Sequence, residues 1–179
     1  HVIWSDGIPD RYCSILHNRL TTDFPDALLL DLGSGNGRNA VFFASSGFRV
    51  HAVDFSSVAL QQLSVMAKEN KLNISCEQGD AVYYATRAPA YNAILLSLVL
   101  HHFNEKHATN FLSDLHRCCR NGAFVGFALL GSGGIFQLME SCDFSLQFPR
   151  WNTLYKNQGY VRLLDGKAVL KTEYLFETV

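Results

Sequence analysis

The chain has 179 residues, of which 48% are hydrophobic, and 15 basic and 16 acidic side chains give it a formal net charge of −1. This length and composition predict one globular domain with a sizeable core and exclude an intrinsically disordered chain. The charges are spread through both halves, so no basic stripe indicates a nucleic-acid partner. The longest apolar run, Ala93–Leu100, is too short to cross a membrane. With no signal pattern at the N-terminus, we expect a cytoplasmic protein without a membrane partner.

The five cysteines are odd in number and form no CxxC pair. This pattern predicts free cytosolic thiols and gives no reason to assign a metal site. Residues 1–26 are predicted to form an irregular start and a short helix, roughly over Asp10–Leu20, with an apolar side. Pro25 then breaks the chain before the first strand.

The segment Leu28–Asp54 has the pattern of a complete βαβ unit. A short apolar run predicts a strand buried on both faces, a helical pattern then ends at Gly47, and Phe48–Val53 alternates towards a second strand. Three glycines occupy the bend between the first strand and the helix: Gly33, Gly35 and Gly37. Glycines let a ligand lie against bare backbone, and the helix start presents unpaired N–H groups. Asp54, at the tip of the second strand, is placed to bind ribose hydroxyls, so a nucleoside-bearing cofactor is predicted.

The spacing of these glycines separates two classes of nucleoside-bearing cofactor. The dinucleotide fingerprint G-x-G-x-x-G would need its third glycine at Arg38. The acidic Asp31 followed by G-x-G-x-G instead resembles motif I of class I S-adenosylmethionine-dependent methyltransferases. DLGSGNGRNA is also similar to motif I of the tellurite-resistance-type branch of small-molecule methyltransferases, although Ser34 stands where a cysteine is common in that branch. A nicotinamide or flavin binder is the alternative.

The remaining elements follow in an alternating order. Ser56 is a predicted N-cap for a helix with apolar positions at helical spacing. Asn73–Gln78 is predicted as the third strand and Tyr91–Leu100 as the fourth strand with its exit. Asn104 is expected to cap another helix, closed by Gly122, and Ala123–Leu130 to form the fifth strand.

The last quarter of the chain begins with a glycine-rich turn and a segment, 135–151, that is rich in large apolar side chains. This segment either packs on the helices or folds over a substrate. Asn152–Asn157 is predicted as one or two helical turns. Gly159–Leu164 and Ala168–Thr178 alternate as strands and are joined by Asp165-Gly166, a typical hairpin turn.

The resemblance implies an α/β, Rossmann-like doubly wound sandwich with a seven-stranded, mostly parallel sheet and a C-terminal antiparallel hairpin. A dinucleotide-binding fold would more readily add another parallel strand. We expect residues 1–179 to be a single methyltransferase domain. Within it, residues 1–26 form a helical lid, or a helix that simply packs on the sheet; 27–130 form the cofactor-binding half; and 131–179 form the substrate-side loop and closing hairpin.

The resemblance also implies roles for individual residues. Asp54 binds ribose, Asp80 accepts from the exocyclic amine of adenine, and Phe55 packs on the adenine face. Asp80 as a helix cap and Phe55 as a core-closing side chain are the alternatives. Ser97 is expected beside the methionine part of the cofactor. The full predicted cofactor set is Asp31, Gly33, Ser34, Gly35, Asn36, Gly37, Asp54, Phe55, Asp80, Ala81 and Ser97.

The implied reaction is in-line transfer of a methyl group from S-adenosylmethionine to a small-molecule acceptor, with S-adenosylhomocysteine as product. His101 and His102 are candidate bases for a neutral acceptor, or structural parts of their loop, so no catalytic residue is assigned. The alternatives are a methyltransferase acting on RNA or protein, and a non-catalytic or nicotinamide-binding partner subunit. The sequence does not predict the acceptor or the oligomeric state.

Overall fold

Helices and strands alternate along the chain in the computed structural model, which describes residues 7–85, 91–131, 148–162 and 167–179. The helices are α1 (Tyr12–Asp23), α2 (Arg38–Ser45), α3 (Ser57–Glu69), α4 (Ala81–Ala85) and α5 (Glu105–Cys118). The strands are β1 (Leu28–Leu32), β2 (Arg49–Asp54), β3 (Ile74–Gln78), β4 (Ala93–Ser97), β5 (Phe124–Leu130), β6 (Trp151–Arg162) and β7 (Ala168–Thr178). A single 3₁₀ turn, Leu100–His102, separates β4 from α5.

The seven strands form one sheet in the order β3-β2-β1-β4-β5-β7-β6. The first five strands are parallel, whereas β7 is antiparallel to both β5 and β6. The strand order reverses between β1 and β4, and ligands of open α/β sheets bind in the crevice at such a switch point. The predicted fold class is therefore confirmed.

Local signals in the sequence explain where the helices begin and end. The side chains of Ser56 and Asn104 accept hydrogen bonds from N–H groups in the first turns of α3 and α5, as N-caps do. Gly47, with φ of +93°, follows the end of α2 in the left-handed conformation that commonly ends helices. The capping predictions for these three positions are confirmed.

The core lies on both faces of the sheet. On one face, α1, α2 and α3 bury side chains such as Leu16, Phe43 and Leu63. On the other, α5 buries Phe111 and Leu115 with partners that include the central strands. Covering both faces explains why β1 and β4 are apolar along nearly all of their length. No helix among the described residues has the length and apolar character needed to span a bilayer.

Two predicted elements are placed differently by the structure. The prediction of a helix over Asn152–Asn157 is wrong, because these residues belong to β6. All of them except Leu154 pair with β7, and the register shifts at this residue, between Thr153 and Tyr155. β6 is an edge strand, so water can solvate its polar residues on the open side. The first helix is also displaced, beginning at Tyr12 and ending at Asp23. The hairpin turn at Asp165-Gly166 and most of the apolar segment 135–151 lie outside the described residues.

Candidate functional site

The glycine loop between β1 and α2 has two closely packed positions and one open position. A Cβ on Gly33 would lie 2.3 Å from Cγ2 of Val99, and one on Gly37 would lie 2.2 Å from Cδ1 of Leu63. A Cβ on Gly35 would meet nothing within 4 Å. All three glycines have positive φ, which side chains other than glycine adopt at a cost. The loop thus packs tightly at both ends and offers bare backbone to open space in the middle.

The end of β2 holds this loop in place. The N–H groups of Gly33 and Ser34 donate to the carbonyl of Val53 at 2.7 and 3.1 Å. The Gly35 N–H donates to Oδ2 of Asp54 at 2.8 Å, and the Ser56 N–H donates to Oδ1 of the same carboxylate at 2.8 Å. Each carboxylate oxygen can accept more than one hydrogen bond, so Asp54, which is half-buried, keeps acceptor capacity for a ligand.

Asp31, near the carboxyl end of β1, is buried with 1% of its surface exposed. Neither of its carboxylate oxygens makes a hydrogen bond of good geometry in the described part of the chain. Burial raises the pKa of Asp31 to about 7 and Asp10 adds to this shift, whereas Arg38 and the nearby Ala40 N–H oppose it. A buried carboxylate with so few donors is costly, so this position favours a ligand that brings them.

Asp80 and Phe55 lie at the tips of β3 and β2 and are both exposed. Oδ1 of Asp80 accepts from the Val82 N–H at 2.9 Å, so one oxygen caps α4. Phe55 is 83% exposed, which contradicts the alternative that it closes the core. Its carbonyl accepts from Nε2 of Gln78 at 3.1 Å, which ties the two strand tips together. Ala81 is half-buried against the side of the core that contains α5.

The exit of β4 bends sharply towards the glycine loop. Leu98 has φ of +61°, a conformation that is uncommon for leucine and often occurs at functional sites. The next residue, Val99, packs on Gly33. The rings of His101 and His102 follow at 4.2 Å between centroids. Burial and the neighbouring His102 lower the pKa of His101 to about 4, and its buried Nδ1 has no partner among the described residues.

A buried network of charges connects four parts of the chain near the switch point, and sequence analysis missed it. Nη2 of Arg38 donates to Oδ1 of Asp10 and to Oγ of Ser97, each at 2.9 Å. Asp10, only 1% exposed, also accepts from Nζ of Lys171 at 2.6 Å and Nδ2 of Asn39 at 2.9 Å. The adjacent cations hold the pKa of Asp10 below its ordinary value despite burial. The basic and polar residues directly after Gly37 were the one available signal.

The structure thus brings most of the predicted residues to one region. The loop from Gly33 to Gly37 contacts both Asp54 and Val99, and Ser97 is joined to the first residue of α2. Ser34 has a buried hydroxyl without a partner among the described residues, and Asn36 is half-buried. Within residues 7–85, 91–131, 148–162 and 167–179, no three His, Cys, Asp or Glu side chains are arranged to hold a metal ion.

Comparisons with known proteins agree with this geometry. The sequence profile of the family described as "Methyltransferase domain" matches residues 29–122. A curated relative, hemagglutinin 1 of Eikenella corrodens, is 28% identical over 120 residues, which are 67% of this chain and 37% of that protein. The chain therefore spans little more than a third of that relative's length.

Two solved structures show the same fold at low sequence identity. TehB from Haemophilus influenzae superposes with a TM-score of 0.73 at 17% identity, covering 93% of this chain and 62% of that one. Magnesium protoporphyrin IX methyltransferase from Synechocystis with bound S-adenosylmethionine superposes with a TM-score of 0.66 at 16% identity, covering 92% of this chain and 78% of the other.

Proposed function

This chain belongs to the methyltransferase domain family, the class I enzymes that use S-adenosylmethionine, and we propose that it methylates a small-molecule acceptor. The observation that carries the proposal is the pairing of open backbone at Gly35 with carboxylates at neighbouring strand ends. The balanced charge of the chain supports a small-molecule acceptor, because a nucleic-acid acceptor favours a basic surface. It is also supported by the structural similarity to an enzyme that methylates a porphyrin.

The residues present fit this cofactor at both of its ends. Asp31 offers two buried oxygens without described partners, which suit the ammonium of the amino-acid end. Asp54, through its remaining acceptor capacity, would hold the ribose hydroxyls. The free oxygen of Asp80, the Ala81 N–H and the exposed ring of Phe55 would hold adenine. The bare loop from Gly33 to Gly37, including Ser34 and Asn36, would lie beneath the cofactor, with Ser97 at its methionine part.

When bound, S-adenosylmethionine supplies a methyl group on a sulfonium, already activated for displacement. The protein's contribution is then to hold the acceptor in line, and orientation of this kind can lower a barrier by up to roughly 7–11 kcal/mol. The β4 exit would do this, because Val99 packs against Gly33 in the loop proposed to lie beneath the cofactor. Exclusion of water from this region would strengthen the hold of Asp31 on the ammonium.

A base is required only if the acceptor is a neutral group of high pKa. His101 is neutral at pH 7 because its pKa is lowered to about 4, so it can accept a proton but does so weakly. The exposed His102 is the other candidate. The variants His101→Gln and His102→Gln test whether either histidine acts as a base or only packs within its loop. Loss of a base lowers kcat and removes one limb of the pH–rate profile, whereas loss of a structural ring lowers stability and leaves the profile unchanged.

Calorimetric titration with S-adenosylmethionine, S-adenosylhomocysteine and NAD tests the cofactor assignment. We expect binding of the first two and none of NAD, and binding of NAD alone would refute the proposal. Transfer of a radiolabelled methyl group is then measured with three pools: metabolites below about 1 kDa, total RNA and total protein. Label confined to the metabolite pool supports a small acceptor, whereas label in RNA or protein overturns that part.

A further inference from the structure

The imidazole of His51, in β2, is bonded at both of its nitrogens. Nε2 lies 3.0 Å from Oε2 of Glu77 on the neighbouring strand β3, and Nδ1 lies 2.8 Å from the hydroxyl oxygen of Tyr91. Because an ionised carboxylate only accepts, Nε2 donates to Glu77, and in the neutral imidazole Nδ1 then accepts from Tyr91. The His51 side chain is 17% exposed and Tyr91 is buried. The ring therefore has one fixed orientation, which is tied to two other parts of the chain.

The fixed imidazole packs against Tyr84, a fully enclosed side chain of α4. The two rings meet at 78° with their centroids 5.8 Å apart, which is an edge-to-face arrangement. Tyr84 also belongs to the core on the α5 side of the sheet, together with Val53 and Tyr91. The position of the tyrosine ring is therefore set by His51 on one side and by the core on the others.

The tyrosine ring in turn lies on the backbone of Gly79, which directly precedes Asp80. A Cβ on Gly79 would come within 2.9 Å of Cε2 of Tyr84, so the contact leaves no room for a side chain. On the β2 side, the Gly79 N–H donates to the backbone carbonyl of Asp54 at 3.1 Å. The chain is thus held between a strand end and a buried ring immediately before Asp80. Any shift of Tyr84 would be passed to the Asp80 carboxylate.

We propose that Tyr84, oriented by His51, is a positioning residue that determines how strongly the protein selects adenine over other bases. Oδ1 of Asp80 is occupied by the Val82 N–H, so Oδ2 is left to accept from an exocyclic amine. A single exposed oxygen discriminates between bases only if its supporting contacts hold it in place. Tyr84 and His51 supply that support from beneath and need not touch the cofactor. This inference rests on the proposed function and explains the selectivity of its site.

The test compares two ligands that differ only in the base. S-inosylhomocysteine carries hypoxanthine, in which an acceptor oxygen replaces the exocyclic amine of S-adenosylhomocysteine. Calorimetry should show that wild-type protein prefers S-adenosylhomocysteine by about ten- to a hundredfold in Kd, as for loss of a hydrogen bond to a charged group. Tyr84→Leu is expected to reduce this preference to about threefold or less, mainly by weakening S-adenosylhomocysteine binding. Tyr84→Phe keeps the ring on Gly79 and should keep most of the preference.

Three further variants separate positioning from general stability. Phe124→Leu is the matched control, because Phe124 is an equally buried aromatic residue on the opposite face, at the start of β5. It should lower the Tm, as Tyr84→Leu does, but leave the preference unchanged. His51→Phe keeps a ring beside Tyr84 without its two hydrogen bonds and should reduce the preference partly. Gly79→Ala presses on the same ring without a positive φ to strain, so it should reduce the preference even if Tyr84→Leu does not fold.

The ratio of the two Kd values decides between the outcomes. A ratio that falls in Tyr84→Leu, His51→Phe and Gly79→Ala but not in Phe124→Leu supports the inference. A wild-type ratio that these variants retain, or that Phe124→Leu loses equally, overturns the inference and leaves the proposed function intact. If wild-type protein binds neither ligand, the proposed function fails and the inference fails with it.

Discussion

The ring of Tyr12 lies directly against Gly126, where an added Cβ would come within 2.3 Å of Cε2. Tyr12 is fully buried at the start of α1, and Gly126 lies in the middle of β5. Because Gly126 has no side chain, α1 can approach β5 this closely. Asp10, two residues before Tyr12, belongs to the buried charge network, so this contact lies close to the network along the chain.

Gly126→Ala is expected to destabilise the protein by about 1–3 kcal/mol, because the ring cannot move without disturbing its packing. Chemical denaturation monitored by circular dichroism measures this change. Gly159→Ala is the matched control, since a Cβ there meets nothing within 4 Å on edge strand β6, and its effect should stay within about 0.5 kcal/mol. Equal stability of the two variants would contradict the packing argument.

Two variants of the glycine loop are expected to have different effects: Gly33→Ala mainly lowers stability, whereas Gly35→Ala mainly weakens ligand binding. Both residues have positive φ, so each alanine costs about 1–2 kcal/mol of backbone strain. Gly33→Ala also collides with Val99, and Val99→Ala in that background should recover the steric part of the loss in stability. Gly35→Ala should be milder for stability but weaken S-adenosylhomocysteine binding at least about tenfold, because its methyl group enters the space assigned to the cofactor. Unchanged binding by Gly35→Ala would place the cofactor elsewhere.

Asp54→Asn is expected to weaken S-adenosylhomocysteine binding by about tenfold or more, since a neutral amide replaces a charged acceptor for the ribose hydroxyls. The amide keeps one acceptor oxygen for the Gly35 N–H, but its NH2 group then faces the Ser56 N–H, so a loss of stability of about 1 kcal/mol is expected as well. Calorimetry gives the Kd, and thermal unfolding measures the change in stability separately. Asp26→Asn, at an exposed position before β1, is the control and should bind like wild type.

The affinity for S-adenosylmethionine is expected to fall as the pH decreases below 7. The pKa of Asp31 is raised to about 7 in the free protein, and only its ionised form pairs well with an ammonium. Well below pH 7, the Kd should rise about tenfold per pH unit. Calorimetry between pH 5.5 and pH 8 measures this slope, and Asp31→Asn should bind weakly with no such dependence. A wild-type affinity that is flat across this range would argue against Asp31 as the ammonium partner.

The raised pKa of Asp31 also predicts how the stability of the protein depends on pH. The folded pKa of Asp31 lies above its ordinary value of 3.8, so between these two values the unfolded chain binds fewer protons than the folded one. The cost of burying Asp31 therefore grows with rising pH and is complete above about pH 7. The Tm of Asp31→Asn minus that of wild type should increase from pH 5 to pH 7 and then level off. A constant difference would mean that Asp31 titrates normally.

Much of the fold could be predicted because its signals are local. The βαβ unit from Leu28 to Asp54 combines an apolar strand, a glycine bend and a second strand, and the caps at Ser56 and Asn104 are single-residue signals. The segment Asn152–Asn157 was misassigned because its strand character comes from pairing with β7 rather than from alternation in its own sequence.

The candidate site was predictable only where its residues follow strand ends. The glycine loop directly follows β1 and Asp54 is the last residue of β2. Because the ends of these neighbouring parallel strands lie side by side, a contact between Asp54 and Gly35 could be anticipated. The network around Asp10 could not, because it joins Asp10 to Arg38, 28 positions away, and to Lys171, 161 positions away. Contacts at such distances depend on how the whole sheet is assembled. In the sequence, Arg38 is notable for excluding a dinucleotide fingerprint and for its place in DLGSGNGRNA, and neither feature indicates its contact with Asp10.

The placement of β7 between β5 and β6 has a consequence for synthesis of the protein. A nascent chain that has emerged only as far as β6 contains every strand of the parallel half, but β5 still has an open edge and Lys171 is missing. Asp10 would then be buried with one of its two cations absent. The crevice at the switch point therefore reaches its final electrostatic state only after β7 has been synthesised and has inserted between β5 and β6.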